Sequence, residues 1–259
     1  MAQAPVGDLY LHFDPQGPLL EATLDCERSV FADRYGFPAE EMDGFYAPFA
    51  DASTFLALAD RSGYVVAMAR YVFPNANGLV TTRELGKPPW GLDGPACLEA
   101  TGLDLEHTWD VATLAVRSGS RRFGVMHAAA MYHGLIRASA ANDIRGFVAV
   151  MDERVRRLMA MLGLMVQEMP GAATGPYEGS PATTPVFQLT SEFIGGQRRN
   201  APDAYRLVTL GIGLDGIHVP DNDAFRLKRP RVVQLPAELG ADRLISVDDG
   251  LTTGERVRR

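Results

Sequence analysis

Residues 108–142 constrain the fold more than any other part of the chain. "TWDVATLAV" (108–116) is a β-branched and aromatic run with strand character. Three arginines follow within six residues, Arg117, Arg121 and Arg122, and then an apolar, alanine-rich helix is predicted over 123–142. A buried strand joined to an apolar helix by so short a turn must pack against it, which demands a sheet with a helix on its face. The first N–H groups of a helix have no partner within it and carry partial positive charge. An anion can satisfy them. Gly124 would let a ligand approach the backbone, Arg121 and Arg122 would add charge, and Ser118 or Ser120 could cap the turn. The stretch reads equally well as a solvated basic turn.

Around it, "DLYLHF" (8–13), "STFLALA" (53–59), "YVVAMARYVFP" (64–74), "IRGFVAVM" (144–151), "LMVQEM" (164–169) and "PVFQLT" (185–190) have strand patterns. Helices are predicted over 18–37, ended at Phe37-Pro38, and over 152–163, stopped by Gly163. Residues 40–51 read as loop because Gly44 and Pro48 interrupt them; 75–105 read as irregular apart from a short helix near Cys97; 171–184 read as loop. Strands and helices do not alternate strictly. The fold class is therefore α/β in the broad α+β sense, a mixed sheet flanked by helices. Residues 1–190 form the expected main domain and 191–259 a C-terminal extension packing on it, with 204–214 and 231–236 as strand candidates and a frayed tail.

A net charge of −7 with no long basic run argues against nucleic acid and membrane surfaces as partners. Cys26 and Cys97 make no disulfide framework and show no CxxC spacing, so a reduced cytoplasm is the expected compartment. The first residues lack the order of a signal peptide, and no run approaches a membrane span.

"LAVRSGSRRFGVMHAAA" resembles the acyl-donor segment of the GNAT acyltransferases, where a strand leads into Arg/Gln-x-x-Gly-x-Gly/Ala. The matching residues are Arg121, Arg122, Phe123, Gly124, Val125 and Met126, with Met126 where Gly or Ala is usual. The resemblance implies a GNAT-like, mostly antiparallel sheet and a site for the phosphopantetheine arm of coenzyme A or an acyl carrier protein. That donor would be a co-substrate, with no cofactor tightly bound and no metal. Val116 and Arg117 would complete this donor site. Within that superfamily, "RSVFADRYGF", "EEMDGFY", "YVVAMARYVFP" and "TWDVATLAV" are similar to the acyl-homoserine-lactone synthases and the N-acyl amino acid synthases. This likeness implies acceptor contacts at Arg28, Phe31, Phe37, Asp43 and Arg70, and catalytic positions at Asp110 and Thr113. Arg28 stands three residues before Phe31 rather than four, Tyr46 replaces an Asp, Asp110 a Glu and Thr113 an Arg. These departures fall where S-adenosylmethionine would be gripped, and they point to another small amine acceptor.

The implied activity is N-acyl transfer from a pantetheine thioester to an amino-acid-like amine. Two alternatives stand beside it: a true autoinducer synthase using S-adenosylmethionine, and a non-catalytic acyl-thioester-binding protein. The amine must lose a proton, the carbonyl oxygen needs a donor, and the thiolate must leave. Asp110 on a central strand is the candidate base; it reads equally as a partner for an arginine such as Arg70. Asp43 could hold an ammonium or cap a loop, and Arg70 a carboxylate or a structural ion pair. Tyr177 is the substitute candidate for protonating the thiolate, since no tyrosine follows the strand at 144–151.

Other features are read as structural. "GIGLDG" (211–216) lacks the helix a dinucleotide site needs and is taken as a turn. His127 and His133 fall on different helix faces. Cys26, Met159, Met161 and Met165 are expected in the core, and no Gly-x-Ser-x-Gly elbow occurs.

Overall fold

The computed structural model describes residues 8–117 and 121–228, and for 121–123 the backbone only. Among these residues nine strands form one sheet: β1 (Leu9–Phe13), β2 (Ser53–Asp60), β3 (Val65–Val72), β4 (Thr108–Val116), β5 (Gly146–Asp152), β6 (Gln167–Glu168), β7 (Gly175–Tyr177), β8 (Ser180–Leu189) and β9 (Ile217–His218). Their order is β6-β8-β5-β4-β3-β2-β1-β9, with β7 also on β8. All pairs are antiparallel except β4 with β5 and β1 with β9. The expected mixed sheet flanked by helices is what forms.

Helix α1 (Pro18–Tyr35) starts on a proline and ends on Gly36, whose φ of +65° reverses the chain. Its buried stripe is Thr23, Cys26, Glu27 and Val30, at helical spacing. It covers β2–β4 on one face, where Cys26, Val30, Phe55, Met68 and Ala115 cluster. Helix α5 (Arg121–Ala141) crosses the other face and carries the largest core. Ala128, Ala129, Ala130 and Gly134 keep it close; a Cβ on Gly134 would lie 2.5 Å from a Leu56 methyl. Helices α3 (Val80–Leu85) and α4 (Gly94–Ala100) shield β5 and β8 on the α1 face through Leu79, Leu85, Leu98, Val148 and Phe187.

Several sequence expectations are corrected. Residues 40–51 are not loop: α2 (Ala39–Tyr46) forms there because Met42 and Tyr46 bury one face, which outweighs the glycine, and Pro48 then turns the chain into a 3₁₀ segment (Ala47–Ala52). Within 75–105 the short helix near Cys97 is α4, while α3 was hidden by flanking glycines and prolines. The strand expected over 164–169 is reduced to β6, and β8 begins inside the expected loop at Ser180. The strand candidate at 204–214 is helical, a π-turn at Tyr205–Thr209 that buries Val208 against α5. Only Met159 of the three methionines is core; α6 (Glu153–Met161) and the turn after it leave Met161 and Met165 at 75% and 63% exposure. The expected strand over 231–236 lies outside the described residues.

The chain after β8 continues as α7 (Thr190–Asn200), whose Gln197 donates to the Leu162 carbonyl after α6 (2.8 Å). It then returns to pair β9 with β1, and Asn142 at the end of α5 fixes its last part by donating to the Phe225 carbonyl (2.7 Å) and accepting from Leu227 N–H (3.0 Å).

Candidate active site

Strands β4 and β5 pair only at Thr108–Gly146, Trp109–Phe147 and Asp110–Val148. Past Asp110 they separate. β3 holds β4 as far as Val116, β8 holds β5 as far as Asp152, and a bulge at Ala112 adds twist to β4. A cavity of about 160 Å³ opens between the arms, lined by Val111–Leu114 on one side and Ala149–Asp152 on the other. Among the described residues the β4 edge facing the gap has no neighbouring strand beyond Asp110. Much of the remaining lining is apolar, including Leu135, Phe147, Val155, Met159, Val186 and Phe193.

Asp110 sits at the vertex, fully buried. It accepts from the Thr81 N–H (2.5 Å) and from Thr81 Oγ1 (3.1 Å). Burial pushes its carboxyl up to about 7, held back by those two hydrogen bonds and pushed further by Glu84. The alternative reading, Asp110 paired with Arg70, does not occur: Asp110 stands opposite Val72 and is bonded to Thr81, while Arg70 stands opposite Thr113. Arg70 instead donates Nε and Nη2 to Glu27 of α1 (3.0 and 2.5 Å), with its guanidinium over the rings of Tyr46 (4.2 Å) and Phe55 (4.8 Å). Arg70 is thus a buried ion-pair partner of Glu27, with Nη1 also 3.4 Å from Ser53 Oγ. Thr113 lines the cavity and donates to the same Glu27 (2.5 Å).

A third buried carboxylate, Glu84 of α3, takes Arg83 Nε (3.0 Å) and Lys87 Nζ (2.8 Å) on one oxygen. The hydroxyl of Tyr177 bonds to Glu84, and burial first, then that charge, raises Tyr177 well above the usual phenol range. Tyr46 is raised likewise by burial and by Glu27; it donates to the Ala112 carbonyl at the bulge (3.3 Å). Both tyrosines line the cavity, their hydroxyls neutral at physiological pH and engaged by the Ala112 carbonyl and the Glu84 carboxylate.

The remaining expected residues divide. Phe31 and Phe37 line the cavity mouth beside Tyr35 and Phe45. Arg28 and Asp43 pair with each other at the surface (2.9 Å). Val116 ends β4. Arg117 is held by the Val65 carbonyl (3.0 Å) and Asp25 (2.7 Å) rather than free for an anion. Among the described residues, α5 runs from Arg121 and follows the β4 arm after a short connection. The side chains of Arg121, Arg122 and Phe123, and Ser118 and Ser120, lie outside the described residues. A Cβ on Gly124 would meet nothing within 4 Å, Val125 is exposed, and Met126 packs against the core. His133 is buried with Nδ1 on the Val208 carbonyl (2.9 Å), and the Gly211–Gly216 segment is a turn with three positive-φ glycines.

Glu27, Tyr46, Thr81 and Glu84 were missed from sequence. For Glu27 a signal existed: it interrupts the buried stripe of α1, and a carboxylate there requires a buried partner. Thr81 and Glu84 had none, since they belong to the helix that escaped detection.

Among solved structures, the chain is similar to the AHL synthase LasI, with a TM-score of 0.53 at 19% identity over 79% of this chain and 96% of that one. It is also similar to BjaI, described as a CoA-dependent acyl-homoserine lactone synthase and solved with MTA, with a TM-score of 0.53 at 13% identity over 84% of this chain and 96% of that one. The chain thus has the GNAT-like fold of these synthases. No protein-family model and no curated protein sequence matches it.

Proposed function

We propose that this protein is an N-acyltransferase that moves an acyl group from a phosphopantetheine thioester to the amine of a small amino-acid-like acceptor. One observation carries the proposal: a buried carboxyl with a pKa near neutrality, Asp110, stands where a strand edge without a partner meets an apolar chamber. The pantetheine arm is peptide-like, and its amides can pair with the β4 edge that β5 leaves. Phosphate is received by the first turn of α5. The thioester carbonyl then lies at the Ala112 bulge, where backbone N–H groups stabilise the oxyanion, and the chain enters the chamber. Asp110, raised toward neutrality by burial, takes the proton of the acceptor ammonium directly or through a water, and the free amine attacks. The thiolate leaves and takes a proton from water, because burial and Glu84 hold the Tyr177 proton too tightly for it to be given up. Thr113 and Arg70 act as positioning residues through Glu27. The acceptor enters between Phe31, Phe37 and Tyr46, with the Arg28–Asp43 pair at the rim.

The test is free-thiol release and product mass spectrometry with a panel of acyl-CoA and acyl-carrier donors and candidate amines. Asp110→Asn is expected to abolish turnover and keep donor binding. Undiminished turnover in that variant would remove Asp110 from the mechanism, and no thiol release with any pair would sink the assignment. Release of methylthioadenosine with S-adenosylmethionine would move the protein to the autoinducer synthases.

A further inference from the structure

Among the described residues, four buried side-chain polar atoms have no hydrogen-bond partner, and three of them, on Tyr132, Thr183 and Gln188, belong to residues lining the one chamber. Tyr132 and Gln188 are 3% and 6% exposed. Gln188 is the register partner of Phe147, and Phe147 packs in the same cluster as Tyr132 and Leu135, so both orphan groups belong to the α5 side of the sheet. The Gln188 amide is oriented by its Nε2, which donates to the Leu189 carbonyl (3.2 Å), and this leaves Oε1 as a bare acceptor. Leaving such groups unpaired in an apolar wall costs stability, which marks them as awaiting a ligand.

We propose that the chamber takes an acyl chain bearing a hydroxyl far from its thioester carbonyl, held at the floor by Tyr132 and Gln188. The substrate class is therefore a distally hydroxylated fatty acyl group, and this rests on the acyl-transfer reading above. The β4–β5 pairing ends at Asp110 and Val148, the Ala112 bulge lies two residues beyond that end, and Gln188 is level with Phe147, one residue before it, so three residues separate the two. At the strand rise that is roughly 10 Å. A substituent near the carbonyl does not reach so deep. A hydroxyl matches both open roles, since it can donate to Gln188 Oε1 and can accept from the Tyr132 hydroxyl. A ketone only accepts and would leave Gln188 bare. An ammonium would be a buried charge without a counter-ion among the described floor residues.

The experiment compares binding of octanoyl-, decanoyl- and dodecanoyl-pantetheine thioesters with their ω-hydroxy counterparts by calorimetry, with thiol release measured in parallel. The wild-type protein is expected to prefer at least one hydroxylated chain by about tenfold. Gln188→Leu and Tyr132→Phe should each erase that preference by weakening the hydroxylated ligand and strengthening the plain one. Tyr132→Phe removes only an unpaired hydroxyl and so guards against a misfolded Gln188→Leu. Equal affinity for plain and hydroxylated chains at every length, as a water on the floor would give, overturns the inference. So does a preference that survives both variants, or binding of no chain. Thiol release from plain thioesters alongside any of these results leaves the acyl-transfer assignment standing and only the hydroxyl subsite refuted.

Discussion

Replacing Asp110 with asparagine should make the protein more stable at and above neutral pH while it loses its base. The carboxyl is raised from the ordinary 3.8 to about 7, chiefly by burial. Between those values the folded chain retains a proton that the unfolded chain has released. The unfolded state then binds fewer protons, so stability falls as pH rises through this window and levels off above about 7. A shift of about 3 units at 1.36 kcal/mol each makes the total about 4 kcal/mol, of which about 2.5 kcal/mol accrues between about pH 5 and about pH 8. The amide is neutral throughout. It can still accept from the Thr81 N–H and can donate to Thr81 Oγ1, so the hydrogen-bond frame survives. Urea unfolding at a series of pH values, wild type beside variant, isolates this group because every other titration is common to both. The variant's advantage should widen steadily from acid to neutral pH and then stay constant. Curves that run parallel across the range would show that Asp110 does not carry the raised pKa, and the general-base argument would go with it.

Three further outcomes follow from packing and charge. Glu27→Ala strands Arg70 and Thr113 without their acceptor in a closed site; a loss of about 3–5 kcal/mol in urea unfolding is expected, and a loss under 1 kcal/mol would mean that water reaches the pair. Gly94→Ala would put a Cβ 1.9 Å from the Thr82 carbonyl oxygen, so α3 must move and take Thr81 off Asp110. The expected cost is about 1–3 kcal/mol together with a shifted pH–activity profile, and an unchanged profile would uncouple α3 from the site. The Cys26 thiol is fully buried and pushed up to about 11 by that burial, so a disulfide labelling reagent at neutral pH should modify Cys97 quickly and Cys26 only on unfolding. Equal labelling rates in the native protein would contradict the packing of α1.

The local patterns were legible from the sequence. The strand over 108–116 and the helix after it stand where their periodicity put them, as do β2 and β3, because apolar alternation and helical spacing are properties of neighbouring residues. Asp110 is picked out through the resemblance to the synthases, on a strand whose own pattern fits burial. What it touches is not. Its partner Thr81 lies 29 residues away in a helix with hardly two turns, and Arg70 is turned to Glu27 instead. A single extra residue at Ala112 decides which side chains of β4 look into the cleft, and no local pattern records a bulge. The cleft exists because β4 and β5 are each held more firmly by their outer neighbours than by one another. That balance is a sum of long-range strand pairings, which only the folded chain computes.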